Sequence, residues 1–344
     1  MEVGTMVVGI DSHKETVAAC VVDELGGELA TAIFPNTGAG HDSLLSWARS
    51  RGEVSLFGIE GSGGVGYALA RRLATLGEGV VEVPPFLTVR ERKHLRQRGK
   101  SDPADALAIA RVVAREADLP RFLIHDRARQ LGQILNYRDQ LVEERTRGAN
   151  RLHSELTRRH PGYQAEIKNL VSRRSLRRVQ ALIEAGASIE TALLLRRLSS
   201  LRLLSSEIAD LNVHINRLVE QSRTGLIDIT GVGALVAARI LAEVGDVQRI
   251  ASESRFAALN GTAPVPASSG TIQRHRLNRG GNRRLNRALH TIAVIQAHLD
   301  PRARAYLQRR RAEGKTQREA IRCLKRQLSN VVYRQLVADR GRLR

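Results

Sequence analysis

The sequence predicts an α/β domain followed by a basic, mainly helical remainder, and three observations predict it. The first hundred residues alternate short β-branched runs with amphipathic stretches. From Arg127 onward the apolar periodicity is that of long helices. The charge changes near the same place: residues 1–90 carry 6 basic and 11 acidic side chains, and residues 91–344 carry 49 and 24. An acidic block beside a strongly basic remainder predicts two parts with different tasks. The formal charge of +20 makes a polyanion the natural partner of the basic part.

Met6–Ile10 and Thr16–Val22 are apolar runs of strand length. Leu25-Gly26-Gly27 supplies a turn, and Leu29–Phe34 makes a third strand, so the three form an antiparallel meander. A helix over Asp42–Ser50, a strand over Ser55–Ile59, a helix over Tyr67–Leu76 and a strand over Val80–Val83 follow. Pro84-Pro85 closes that unit. A meander followed by α/β crossovers is the element order of an RNase H-like fold, placed here in a first domain of residues 1–125.

Residues 126–221 read as a helical coiled-coil linker. Leu131, Leu135, Val142, Ala149, Leu152 and Leu156 hold a 3–4 spacing up to Pro161-Gly162, and Leu201, Leu204, Ile208, Leu211, Ile215 and Leu218 hold it again. The spacing fits a hairpin within one chain and a coiled coil between chains equally well. Residues 222–344 form a basic, mainly helical third domain.

Two cysteines far apart, Cys20 and Cys323, exclude a disulfide framework and a zinc finger. No stretch approaches the ~18 apolar residues of a membrane span, and no leader pattern precedes Asp11. The expectation is a soluble, cytoplasmic protein without a membrane partner. Aromatic residues make up 3% of the chain, which argues against a base-stacking sheet.

Four acids stand out by position. Asp11 ends the first strand and Glu60 ends a later one. Asp102 and Asp105, in Lys100-Ser101-Asp102-Pro103-Ala104-Asp105-Ala106, share one face at the start of an apolar helix. Carboxylates at strand ends and a helix start converge readily, and such a cluster suits a hard divalent cation, Mg²⁺ above all. Each acid taken singly has a plainer explanation: Asp102 before Pro103 makes a good N-cap, and Asp105 complements the helix dipole.

Gly61-Ser62-Gly63-Gly64-Val65-Gly66, between a strand and a helix with Glu82 beyond, fits the dinucleotide fingerprint. Glu60 beside the pyrophosphate position counts against it, as does the basic remainder. A close approach of a phosphate backbone uses the same glycines.

In the third domain, Ile229-Thr230-Gly231-Val232-Gly233 before an Ala-rich helix resembles a helix-hairpin-helix, whose Gly231 and Gly233 would offer backbone N–H groups to a phosphate. Ser268-Ser269-Gly270 lies beside Arg274, Arg276, Arg279, Arg283 and Arg284. A serine there could attack a phosphate held by those cations, and the same residues also make an ordinary Ser-rich turn.

Taken in order, Gly9-Ile10-Asp11-Ser12-His13-Lys14, Glu60 before a glycine run, Lys100 to Ala106, Gly231-Val232-Gly233, Phe256 to Gly261, Ala263-Pro264, Ser269-Gly270 and Arg279 to Leu285 resemble the DEDD transposases of insertion-sequence family one-ten. These are relatives of the Piv-type invertases and are described as bridge-RNA-guided recombinases. The resemblance covers nearly the whole chain. It implies a RuvC-like first domain whose DEDD set is Asp11, Glu60, Asp102 and Asp105, with Mg²⁺ as cofactor. It also implies a transposase domain whose serine, matching Ser269, becomes joined to DNA. Donor and target DNA, a non-coding bridge RNA and further copies of the chain are the partners it implies. Two other functions fit the residues: an invertase or junction-resolving nuclease using water as nucleophile, and a nucleic-acid-binding scaffold without catalysis.

Overall fold

A computed structural model describes residues 5–92, 101–124, 126–184, 188–266, 275–276, 278 and 280–342. The chain divides into two compact units, Met1–Ile124 and His125–Arg344.

The first unit is built on one mixed sheet. Strands β1 (Met6–Ser12), β2 (Thr16–Val22) and β3 (Glu28–Pro35) form the expected antiparallel meander. Strands β4 (Val54–Glu60) and β5 (Val80–Glu82) run parallel to β1, giving the order β3-β2-β1-β4-β5. This is the RNase H-like arrangement. The glycine run lies in a parallel β4–α2–β5 unit, but the antiparallel β2 and β3 distinguish this mixed sheet from the doubly wound parallel one typical of dinucleotide binding.

Helices α1 (Gly38–Arg49) and α2 (Tyr67–Thr75) cover one face, where Val8, Ile10, Phe57 and Ile59 are buried with Leu44, Leu69 and Leu73. Helices α3 (Pro85–Arg92) and α4 (Asp102–Arg115) belong to the other face, with Val7, Cys20 and Val81 against Ala106, Ile109, Ala110 and Val113. The sequence reading ended its unit at Pro84-Pro85, but Pro85 opens α3. A proline in the first turn lacks only an N–H that has no intrahelical acceptor, so it starts a helix as readily as it ends one.

The face shared with α4 has almost no room. A Cβ on Gly9 would stand 2.1 Å from the Ala110 backbone nitrogen and 2.3 Å from the Ala106 carbonyl oxygen. A Cβ on Gly58 would stand 2.1 Å from Val113 Cγ2. Two glycines on neighbouring strands therefore let α4 lie directly on the sheet.

In the second unit, α5 (Asp126–Arg159) and α7 (Ile189–Gln221) pair within the chain. Arg138 donates to Asn212 at 2.6 Å, and Arg197 meets Glu155 at 2.9 Å. Within the chain these two helices pack as a hairpin, one of the two arrangements that the spacing allows. At one end Leu152, Leu156, Leu194 and Leu198 close a small core with α6 (Arg173–Ile183). At the other end Leu131, Leu135, Ile215 and Val219 enter a larger one. That core includes α8 (Ala234–Val244), α9 (Glu253–Leu259), α10 (Arg283–Leu299), α11 (Pro301–Ala312) and α12 (Gln317–Arg342). Gly231 and Gly233 precede α8, but the segment before them is one 3-10 turn, Gly225–Asp228. The helix-hairpin-helix likeness therefore extends to the glycine turn and the helix after it. Both cysteines are free, and among the described residues no helix is long and apolar enough to cross a membrane.

Gly9→Ala tests the tight seat of α4. The methyl has backbone, not a mobile side chain, in its way, so the variant should lose about 1–3 kcal/mol or more of stability. Trp47, the only tryptophan, lies in α1 and reports this unit's denaturation by fluorescence. A midpoint equal to wild type would show that the gap is not needed.

Candidate active site

The strand period and the parallel register together place the first two acids. Side chains alternate across a strand, so Val7, Gly9 and Asp11 project to the α4 face. On β4 Leu56, Gly58 and Glu60 do the same. The register matches Val7 with Leu56, Gly9 with Gly58 and Asp11 with Glu60. Each strand thus repeats one sequence of apolar residue, glycine and acid, and the two acids stand side by side at the carboxyl end of the sheet.

Helix α4 supplies the second pair. Its contact stripe, Ala106, Ile109 and Val113, continues toward the N-terminus into Asp102 and Asp105. The N-cap position belongs to Ser101, in extended conformation, and the Asp105 N–H donates to the Ser101 carbonyl. The plainer explanation of Asp102 as the N-cap is therefore not realised. Its carboxylate is turned instead to His13, whose Nε2 lies 3.1 Å from Asp102 Oδ1 and 3.1 Å from Asp11 Oδ2.

Glu60, Asp102 and Asp105 each act electrostatically on Asp11. Burial pushes the Asp11 carboxyl above the usual aspartate range. His13 pulls it down, and Asp105, Glu60 and Asp102 push it up again. The side chains of Asp11 and Asp105 are 15% and 9% exposed, that of Asp102 44%, so the cluster is graded from floor to rim.

Two basic side chains stand against the acids, and sequence reasoning missed both as site residues. His13 bridges Asp11 and Asp102, and Arg92 Nη1 donates to Asp105 Oδ1 at 2.8 Å. His13 carried a local signal, two residues beyond Asp11 in a strand-end turn. Arg92 had none, because α3 itself was not expected. The Asp11 and Asp102 carboxylates and the His13 nitrogen offer ligand atoms within 4.8 Å of one another. Carboxylate oxygens in excess over cations suit a hard divalent ion.

The remaining predicted residues lie in the second unit. Gly231 has φ +89°, and a Cβ there would meet the Ile292 carbonyl at 3.2 Å, so its place is explained by the approach of α10. Gly233 is extended at the head of α8, with open space in front of it. Arg283 and Arg284 form the first turn of α10 and face a cavity described below. Arg276 lies in a two-residue strand, His275–Arg276, paired with Val265–Pro266. Ser268, Ser269, Gly270, Arg274 and Arg279 lie outside the described residues.

Comparison with known proteins decides the family. A family model for the DEDD transposases of IS110, described as "Transposase", matches residues 8–161. A second, "Transposase IS116/IS110/IS902 family", matches residues 224–308. The chain belongs to the IS110 family of transposases. The uncharacterized 42 kDa protein of insertion element IS900 from Mycobacterium paratuberculosis is 26% identical, over 95% of this chain and 94% of that protein. The 44.8 kDa protein of IS116 from Streptomyces clavuligerus is 28% identical over 96% and 94%. The mini-circle putative transposase for IS117 from Streptomyces coelicolor is 26% identical over 90% and 88%. Among solved structures, Thermus thermophilus RuvC in complex with a Holliday junction substrate aligns with 34% of this chain and 99% of its own. It is 18% identical, with a TM-score of 0.28.

Burial of Asp11, with repulsion from its acidic neighbours, predicts an inverted stability effect. A carboxyl raised above its unfolded value costs stability at neutral pH, and the cost disappears as pH falls through the folded value. Asp11→Asn should therefore melt a few degrees higher than wild type at pH 7 with chelator present, with the gap closing toward pH 4. Added Mg²⁺ should raise the wild-type melting temperature and leave the variant's in place. Equal melting in chelator would show that burial and acidic neighbours do not destabilise the Asp11 carboxylate.

Proposed function

We propose that this IS110-family transposase cuts and rejoins DNA during movement of its insertion sequence. Asp11, Glu60, Asp102 and Asp105 would form the metal-binding centre, and Ser269 would be the nucleophile. The observation that supports the reading is the placing of Asp11 beside Glu60 at the carboxyl end of β1 and β4, with Asp11 raised by burial and by Asp105, Glu60 and Asp102.

Divalent cations held there, Mg²⁺ in the first place, would supply positive charge to the oxygens of a phosphodiester under displacement. The protein's own part is positional. Asp11 and Glu60 sit on adjacent strands whose register is locked by the sheet, and Asp105 is held by Arg92, so three of the four acids have little freedom to move. Asp102, at the exposed rim, shares His13 with Asp11 and is the one acid with room to adjust.

Ser269 enters this reading from its sequence context and the family resemblance. Its hydroxyl oxygen would form a bond to phosphorus as the P–O bond to the neighbouring nucleotide breaks, leaving a hydroxyl end. Attack of a hydroxyl end on the serine ester would reverse the step and rejoin the strand, with no loss of the phosphodiester's energy. The excess of 25 positive charges over residues 91–344 suits backbone contacts to DNA and to a guide RNA, which base pairing would then direct.

Asp105→Asn should slow strand cleavage on the order of 10²–10³-fold or more, the scale of losing one preorganised electrostatic group, while DNA affinity stays near wild type. Wild-type cleavage by that variant in Mg²⁺ would remove Asp105 from the centre. Denaturing gels should show a protein–DNA adduct for wild type that is lost in Ser269→Ala and kept in Ser268→Ala. An adduct persisting in the double variant would place the nucleophile elsewhere. Cleavage without any adduct in wild type would make the chain a water-using nuclease.

A further inference from the structure

The second unit contains a cavity of about 900 Å³ between α10 and α12, entered at the N-terminal halves of both helices. Arg283, Arg287 and His290 line it from α10, and Arg318, Arg322 and Lys325 from α12. No acidic residue lines it among the described residues. Arg283, Arg287, Arg318 and Lys325 have no ion pair with any described carboxylate. Arg322 meets Glu319 only at 3.8 Å, and Arg284 meets Glu243 at 3.6 Å.

Lys325 is the unusual member. A lysine is almost never fully buried unless it is paired, yet Lys325 is 7% exposed. Its ammonium donates at 2.6 Å to Asn286 Oδ1, a neutral acceptor. An ammonium has three donors, and the other two have no described protein partner. Burial and the nearby Arg322 hold it below the ordinary lysine range.

The ammonium is also held in place. Asn286 Nδ2 donates to the Asn260 carbonyl at 2.7 Å, so its Oδ1 is fixed toward Lys325. Asn260, fully buried, donates to Ser329 at 2.7 Å and accepts from the Thr262 N–H and hydroxyl. This chain of bonds runs from the end of α9 through α10 to α12. A fixed cation with free donors, in a cavity of cations, lacks only an anion.

We propose that this cavity is a seat for a phosphodiester group of a nucleic-acid strand, with the Lys325 ammonium as its floor and Arg287 and Arg318 as its walls. The inference rests on the reading of this chain as a nucleic-acid enzyme. Among the described residues no Phe, Tyr or Trp lines the cavity, so it offers charge to a backbone rather than an aromatic platform to a base. Both helices turn their N-terminal halves toward the same space, which adds the positive ends of two helix dipoles. DNA and RNA carry the same group, and either could occupy the seat.

The test uses the full chain, a DNA duplex and an RNA hairpin, with affinity measured across a salt series. Lys325→Met keeps the side-chain volume and removes the charge. It should bind about tenfold more weakly to at least one of the two, with the log–log salt slope reduced by about one. Its melting temperature should stay level or rise, because a buried unpaired charge is gone. That outcome separates ligand contact from a structural role, which would lower it. Arg287→Gln, at an exposed position, should weaken binding in the same arm. Combined with Lys325→Met it should lose less than the sum of the two, since both would serve one phosphate. Weakening confined to DNA or to RNA assigns the seat to that strand. Unchanged affinity and slope in both arms, for both variants, overturns the proposal even if strand cleavage by the wild type is intact. The metal centre is separable in the same assay: Asp105→Asn should lose cleavage and keep the full salt slope.

Discussion

Everything in the first unit that bears on chemistry depends on how closely α4 lies on the sheet. Gly9 and Gly58 stand opposite each other in the parallel register, and together they remove the two side chains that would hold the helix away. Helix α4 can then bring its backbone to the strand surface at Ala106 and Ala110. Four residues before Ala106 on the same stripe stands Asp102, and four before Ile109 stands Asp105. Two residues beyond Gly9 and Gly58 stand Asp11 and Glu60. Glycine spacing on the strands and apolar spacing on the helix thus measure out one meeting point for four acids. The positions are dictated by periods of 2 and 3.6, with no loop involved in setting them.

This is also why so much of the first unit was legible in the sequence. Strand and helix periods can be read directly, and Asp11, Glu60, Asp102 and Asp105 all lie where a regular element begins or ends. The basic side chains beside them, His13 and Arg92, were not legible for the converse reason. Arg92 reaches Asp105 from α3, a short helix opened by the second residue of a Pro-Pro pair, and a Pro-Pro pair signals a break more strongly than a start. His13 bridges two acids from different elements, and a bridge of that kind follows from the packing of α4 alone. In the second unit the heptad-like spacing of α5 and α7 was clear, but the choice of partner depends on the turn between them. That turn contains α6, whose Leu176, Val179 and Ile183 fill the far end of the hairpin. Gly231 had a second reason that the sequence could not show: a Cβ there would meet Ile292 and Ile295 on α10.

The two units store charge in the same way with opposite sign. In the first, burial raises Asp11 and its acidic neighbours raise it further, against one imidazole. In the second, burial lowers Lys325 and Arg322 lowers it further, against one neutral amide oxygen. Isolated buried charge is expensive, and folds normally remove it or pair it. A fold that keeps it does so against its own stability, at positions fixed by regular structure in one unit and by a buried asparagine network in the other.

Such positions have a common physical consequence. A ligand of opposite charge gains from the uncompensated field and meets groups that need no reorganisation, so most of the ordering cost was met when the chain folded. Divalent cations would draw that advantage from the carboxylates and a phosphodiester from the ammonium. The acidic first ninety residues and the basic remainder can therefore be understood locally as well as globally. Net charge sets which polyelectrolyte or counter-ion approaches, and the buried members of each set decide where it is held. On this view Lys325 and Asp11 are counterparts: each is the least exposed charge in its cluster that lacks adequate neutralisation, and each lies where a rigid element leaves it no retreat to solvent.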